Sequence, residues 1–193
     1  MQLELDRLTD REFDALYPLK INKLSSTHWT PMEIAKKAIG FLVRDSETRV
    51  LDIGSGSGKF CLVAAGCSSG QIYGVEKRES LIRLSRKMAA QLGLRVNFIH
   101  ADIKSISFKE FDSFYFFNSF GENLDLTDSL DRENSIDENA YQENCRFLHG
   151  LWGEAPNGTR VVTYCGGEEI VPDQFILIKS EAKGKLKFWE KRF

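Results

Sequence analysis

Val50-Leu51-Asp52-Ile53-Gly54-Ser55-Gly56-Ser57-Gly58 constrains this chain more than any other stretch. An apolar run, Arg49–Ile53, leads straight into glycines at every second position, and Lys59–Ala65 then reads as a helix. Glycine lacks a Cβ, so such a loop lets the backbone come close to a ligand. The helix after it turns its unpaired N–H groups toward the same crevice. Spacing separates the ligand classes that share this geometry. A phosphate-binding P-loop needs Gly, four residues, then Gly-Lys-Ser/Thr. Counting back from Gly58-Lys59 puts Ile53 first and Phe60 last, so both ends fail. A dinucleotide fingerprint is GxGxxG, and Lys59 stands where its third glycine belongs.

The remaining elements follow in alternation. Thr30-Pro31-Met32-Glu33 has the form of a capping box with Thr30 as N-cap. Ile34, Ala38, Ile39 and Leu42 continue at helical spacing. Strands are expected at 71–75, 95–99, 111–117 and 159–164. A helix over 79–92 carries Leu81, Leu84, Met88 and Leu92 on one side and ends at Gly93. Continuous apolar strands alternating with helices indicate a parallel sheet covered on both faces. After the fifth strand the alternation stops. Strands at 175–179 and 186–189 flank Lys183-Gly184, as in an antiparallel hairpin. The expected fold is α/β, a Rossmann-like three-layer sandwich closed by a C-terminal hairpin.

Composition narrows the partners. With 193 residues and 42% apolar content, the chain suits one domain, 1–193, with a helical lead-in over 1–45. A net charge of −2 argues against a dedicated nucleic-acid binder. No apolar stretch is long enough for a bilayer span, and the N-terminus is charged where a signal peptide would be apolar. Cys61, Cys67, Cys145 and Cys165 form no CxxC pair, which suggests reduced cysteines, a cytoplasmic setting and no zinc site.

An acidic residue two before GxGxG resembles motif I of the class I S-adenosylmethionine-dependent methyltransferases. Gly74-Val75-Glu76 ends the second strand with a carboxylate about twenty residues after the loop, where it reaches a nucleoside's ribose. His100-Ala101-Asp102-Ile103 resembles the family segment whose Asp accepts from the adenine amino group. Phe117-Asn118-Ser119-Phe120-Gly121 falls where the family brings methyl donor and acceptor together. The resemblance spans about Thr30 to Tyr164 and implies a mostly parallel seven-stranded sheet with S-adenosyl-L-methionine as cofactor. It implies contacts from Thr30, Asp52, Gly54, Ser55, Gly56, Gly58, Glu76, Lys77, Asp102, Ile103 and Asn118, with Asn118 also the candidate catalytic residue. Thr30-Pro31, Glu76-Lys77, Ser85-Arg86 and Asn118-Ser119-Phe120 further resemble the seven-stranded protein-lysine methyltransferases, the nucleosomal non-SET type among them.

Several of these residues carry simpler readings. Asp102 suits a helix cap, Tyr115 suits the core, and His28 and Trp29 either wall an acceptor pocket or merely pack. Glu122–Glu143 holds eight carboxylates against Arg132 alone, a local charge of −7 that leaves +5 elsewhere. This acidic insertion, 122–150, is either a solvated excursion or a lid that draws a cationic acceptor. No Asp/Asn-Pro-Pro-Tyr/Phe follows the fourth strand, which disfavours nucleobase amino-group methylation. The sequence does not identify the acceptor, and the candidates are a protein lysine or arginine side chain and a small cationic metabolite. An NAD(P)-dependent oxidoreductase and a non-catalytic methyltransferase-fold partner remain the alternatives.

Overall fold

Buried along nearly its whole length, β1 (Arg49–Ile53) is the strand around which the others order themselves. The structure is a computed structural model and describes residues 5–22, 29–117 and 138–193. Its other strands are β2 (Gln71–Glu76), β3 (Asn97–His100), β4 (Ser113–Phe117), β5 (Arg160–Tyr164), β6 (Phe175–Glu181) and β7 (Leu186–Lys191). They form one seven-stranded sheet in the order β3-β2-β1-β4-β5-β7-β6. The first five strands are parallel, and β7 pairs antiparallel with both β5 and β6. This is the mostly parallel seven-stranded Rossmann-like sheet, closed by an antiparallel hairpin, that the sequence leads one to expect. Because β2 and β4 flank β1 on opposite sides, the chain reverses direction across the sheet at β1. A crevice opens at such a point, beyond the strands' carboxyl ends.

Side chains alternate between the sheet's two faces, as the strand period requires. Val50, Ile72, Tyr115 and Val162 join one core with α3 (Met32–Leu42), α4 (Lys59–Cys67) and α5 (Glu79–Leu92). Leu51, Ile53, Val75, Phe114, Phe116 and Val161 join the other with α6 (Glu138–Glu154). Leu148 and Trp152 on α6 are fully buried, and Trp152 meets Phe114 and Phe116 at 6.2 and 6.5 Å between ring centroids. Each such side chain stabilises the fold by roughly 1.5–3 kcal/mol through burial.

Two boundaries shift for physical reasons. Arg95 and Phe111 open the apolar runs, yet the strands begin at Asn97 and Ser113. Phe111 instead closes a short turn and packs its ring on Phe114. The capping box at Thr30 is corrected more fully. Pro31 occupies the N-cap position in extended conformation and has no side chain that caps. The Met32 N–H donates to Asp10 Oδ1 at 2.9 Å, so the cap comes from α1 (Asp10–Asp14). Thr30 is thereby released, and its hydroxyl pairs with that of Tyr115 at 2.8 Å. The lead-in is helical as expected, through α1 and α2 (Leu19–Asn22). Gly93 closes α5 in left-handed conformation, with its N–H on Ala89 and Ala90.

All four cysteines are free. Among the described residues no helix is long and apolar enough to cross a membrane.

Candidate functional site

The glycine loop faces two ways. Gly54 is exposed and Gly56 half-buried, whereas Ser55 and Ser57 between them are buried. The glycines have φ of 72°, 54° and 84° at 54, 56 and 58. Two of them meet different needs. A Cβ on Gly56 would touch nothing within 4 Å, so that side opens on free space, while one on Gly58 would lie 2.7 Å from the Phe98 ring. Gly56 thus leaves room in the crevice, and Gly58 lets the loop pack down on β3. Ser55 is tied within the protein: its N–H donates to Val75 O and its carbonyl accepts from Gly58 N. The Ser55 and Ser57 hydroxyls are buried without a hydrogen-bond partner. Buried polar atoms are rarely left so, and a loop with open space at Gly56 and orphaned hydroxyls beside it suits a polar ligand.

Two carboxylates stand beneath this loop, and their surroundings drive them apart. Asp52, at the end of β1, is buried and accepts from Cys61 Sγ at 3.2 Å. Burial pushes its carboxyl up to about 7; the Cys61 bond opposes this and the nearby Glu76 charge adds to it. Glu76, at the end of β2, is equally buried, and burial alone would raise it too. The Arg78 guanidinium, with the N–H groups of Arg78 and Gly56, outweighs that and holds it below the usual range. Glu76 Oε1 accepts from Arg78 N and Nε, both at 2.9 Å. Oε2 accepts from Gly56 N at 3.1 Å and Arg78 Nη2 at 3.0 Å. Glu76 is thus joined directly to the glycine loop.

On its other side the loop is covered by the lead-in. Lys59, the first residue of α4, is 4% exposed, and its ammonium lies 2.6 Å from Asp10 and 2.7 Å from Asp14. The Trp29 ring sits 5.5 Å from that ammonium, and the Tyr17 ring packs on Trp29 at a tilt, 4.5 Å between centroids. The Tyr17 hydroxyl donates to Ser57 O at 3.1 Å. Trp29 therefore packs, as its simpler reading had it. Tyr115 is also core: Phe60 stacks on it at 3.7 Å, and its hydroxyl reaches Thr30.

The other expected residues are dispersed around this centre. Lys77 is exposed, and its carbonyl meets the His100 ring nitrogen at 3.1 Å. Asp102 is exposed and caps the short turn Ile103–Ser105 by accepting from Lys104 N at 2.8 Å. Ile103 is buried. Asn118, His28 and most of the acidic segment lie outside the described residues. The structure adds groups that the sequence reading passed over. Arg78 is one, and Asp10, Asp14 and Tyr17 of the lead-in are others. The i, i+4 spacing of Asp10 and Asp14 was the available signal, once Lys59 is recognised as a buried cation in need of partners. Phe117 and Tyr164, half-buried at the ends of β4 and β5, pair at 5.0 Å between centroids and form an aromatic edge at the crevice mouth.

A family profile described as a methyltransferase domain matches residues 44–174. Among curated proteins nothing matches the chain. Solved structures resemble it in fold. An RNA methyltransferase from Salinibacter ruber, in complex with S-adenosyl-L-homocysteine, has 19% identity and a TM-score of 0.58. That match covers 84% of this chain and 91% of the other. TrmN from Thermus thermophilus has 21% identity and a TM-score of 0.63, and the match covers 88% of this chain but 52% of TrmN. The chain therefore spans about half the length of the Thermus protein. An S-adenosylmethionine-dependent methyltransferase from Thiobacillus denitrificans, also with S-adenosyl-L-homocysteine, has 18% identity and a TM-score of 0.51, covering 86% of this chain and 59% of that one. Profile, strand order and loop agree: the chain belongs to the methyltransferase-domain family, the class I enzymes whose cofactor is S-adenosylmethionine.

Proposed function

We propose that this chain, as one domain, transfers a methyl group from S-adenosylmethionine to a basic nitrogen, that of a protein lysine or arginine side chain or of a small cationic metabolite, which attacks in its neutral form after losing its proton to solvent. The observation that carries the cofactor reading is the direct bond between Gly56 N and the buried Glu76 carboxylate. It sets the Glu76 carboxylate, the group that receives a ribose in this reading, beside a loop glycine whose Cβ side is open. In this reading Gly54, Gly56 and Gly58 line the cofactor, Glu76 receives its ribose, and Asp52, Ser55 and Lys77 shape the floor and rim. Asp102 and Ile103 border the adenine, Thr30 serves the methionine end, and the family resemblance assigns the sulfonium end to Asn118.

The cofactor supplies an electrophilic methyl group for an in-line displacement, which needs no covalent enzyme intermediate. The protein's part is to align the nucleophile and keep out water. The half-buried Tyr164 ring beside Phe117 suits a cation at this edge. Burial, then Cys165, then the Asp10 carboxylate push the Tyr164 hydroxyl up. A dinucleotide-dependent oxidoreductase fits less well, because Lys59 is held under the lead-in by two carboxylates where the third glycine belongs.

Thermal shift and calorimetry test the cofactor. S-adenosylhomocysteine should bind and raise Tm, whereas NAD and ATP should not, since any ligand preferring the native state stabilises it. Stabilisation by NAD alone would end the methyltransferase reading. Labelled S-adenosylmethionine offered to lysine- and arginine-rich peptides, polyamines and RNA then tests the acceptor; label on RNA alone would end the amine reading.

A further inference from the structure

Glu76 has no acceptor site left for a ligand. A carboxylate offers about four lone-pair positions, and here all four are filled, two by backbone N–H groups and two by the Arg78 fork. The side chain is 3% exposed, so with the guanidinium in place nothing can reach it from the crevice. A vicinal diol presents to a carboxylate what the fork presents, two hydrogens donated side by side. Diol and guanidinium therefore compete for the same two positions.

We propose that the Arg78 guanidinium holds the ribose position and is displaced when the cofactor binds, which makes Arg78 the residue that sets cofactor affinity. This rests on the ribose reading of Glu76. The geometry favours exchange over rearrangement. Arg78 precedes α5 at its N-cap position with no capping bond from its side chain, so the backbone stays while the side chain moves. The bonds from Arg78 N and Gly56 N to Glu76 do not involve the guanidinium and persist, while the Nε and Nη2 bonds to Glu76 open. At 16% exposure the Arg78 side chain already touches solvent, which gives it a way out.

The exchange reduces net affinity, because the fork's charge-assisted bonds are lost as the diol's are gained. Removing the fork removes that loss. Calorimetric titration of S-adenosylhomocysteine into four proteins tests this: the parent, Arg78→Ala, Glu76→Gln and the double variant. Arg78→Ala should bind about tenfold more tightly than the parent, the value of losing about 1.4 kcal/mol of competing charged hydrogen bonds. In the Glu76→Gln background the same change should have much less effect, because an uncharged amide can accept only one arm of the fork. A merely structural Arg78 would lower Tm without tightening binding. If Arg78→Ala binds no better than the parent, while the double variant binds worse than Arg78→Ala, the displacement proposal is overturned and the ribose reading stands. If the double variant and Arg78→Ala bind alike, the ribose reading itself fails. Should Arg78→Ala not fold, Arg78→Gln must show tightening of the same sign, and its absence counts against the proposal.

Discussion

At the β2 end of the crevice Glu76 takes its cation from Arg78, two residues along the chain. At the lead-in end Lys59 takes its carboxylates from α1, with Asp10 lying 49 residues upstream. Both are buried charges with charged partners, yet they serve the fold differently. The Glu76–Arg78 fork closes within one strand-to-helix turn and can open without disturbing the sheet. The Lys59 cluster joins the lead-in to the core, and Asp10 also holds the first N–H of α3. A local pair is suited to exchange with a ligand, and a long-range pair to holding elements together.

The largest expected effect tests the electrostatics of the β2 end. Asp52 has its carboxyl raised to about 7 from an ordinary 3.8. A raised carboxyl contributes stability that is fully present below about pH 4 and is lost as pH rises toward 7. Glu76, held low, does the reverse: its contribution is present above its ordinary value and disappears as pH falls. Asp52→Asn should therefore remove a decline of up to about 4 kcal/mol between pH 4 and 7. Urea unfolding of parent and variant across that range measures it, and parallel pH profiles would show that Asp52 does not titrate there.

Next in size is the lead-in end. Lys59→Met leaves Asp14 buried beside Asp10 with no cation, and should lower unfolding stability by about 3 kcal/mol. If Arg78→Ala destabilises as much as Lys59→Met, the contrast between an exchangeable and a structural pair is lost. Glu76→Ala, measured in an Arg78→Ala background so that no fork competes, should weaken S-adenosylhomocysteine binding by roughly 2–3 kcal/mol, about 30- to 150-fold. A loss under ~3-fold would move the ribose elsewhere. The smallest effect is Tyr17→Phe. It removes one bond to Ser57 O while keeping the ring on Trp29, and should lower stability by about 1 kcal/mol. A larger loss would mean that this hydroxyl, rather than the Lys59 cluster, holds the lead-in down.

How legible all this was from the sequence depends on the range of the interactions involved. Strand β1, helix α5 and the stop at Gly93 stand where periodicity and turn chemistry put them, because those signals lie within a few residues. The glycine loop was equally plain, its alternation being a backbone requirement written in residue type. Thr30 was misread because a local capping pattern competes with a carboxylate 22 residues away, and only the fold shows which reaches the Met32 N–H. Arg78 was overlooked because an arginine beside a glutamate is ordinary on a surface. Only its burial in the crevice gives it meaning.

Asp10 has one more consequence, for how the molecule breathes. The Met32 amide is shielded from solvent exchange by a carboxylate on α1, so it stays protected only while the lead-in is docked. The Gly56 amide is shielded by Glu76, which belongs to the sheet. Segments held by few contacts open as units below the global unfolding free energy. Native-state hydrogen exchange at these two amides therefore separates excursions of the lead-in from excursions of the glycine loop. The protection at Met32 gives the fraction of time the lead-in is undocked, and that at Gly56 the fraction of time the loop is open.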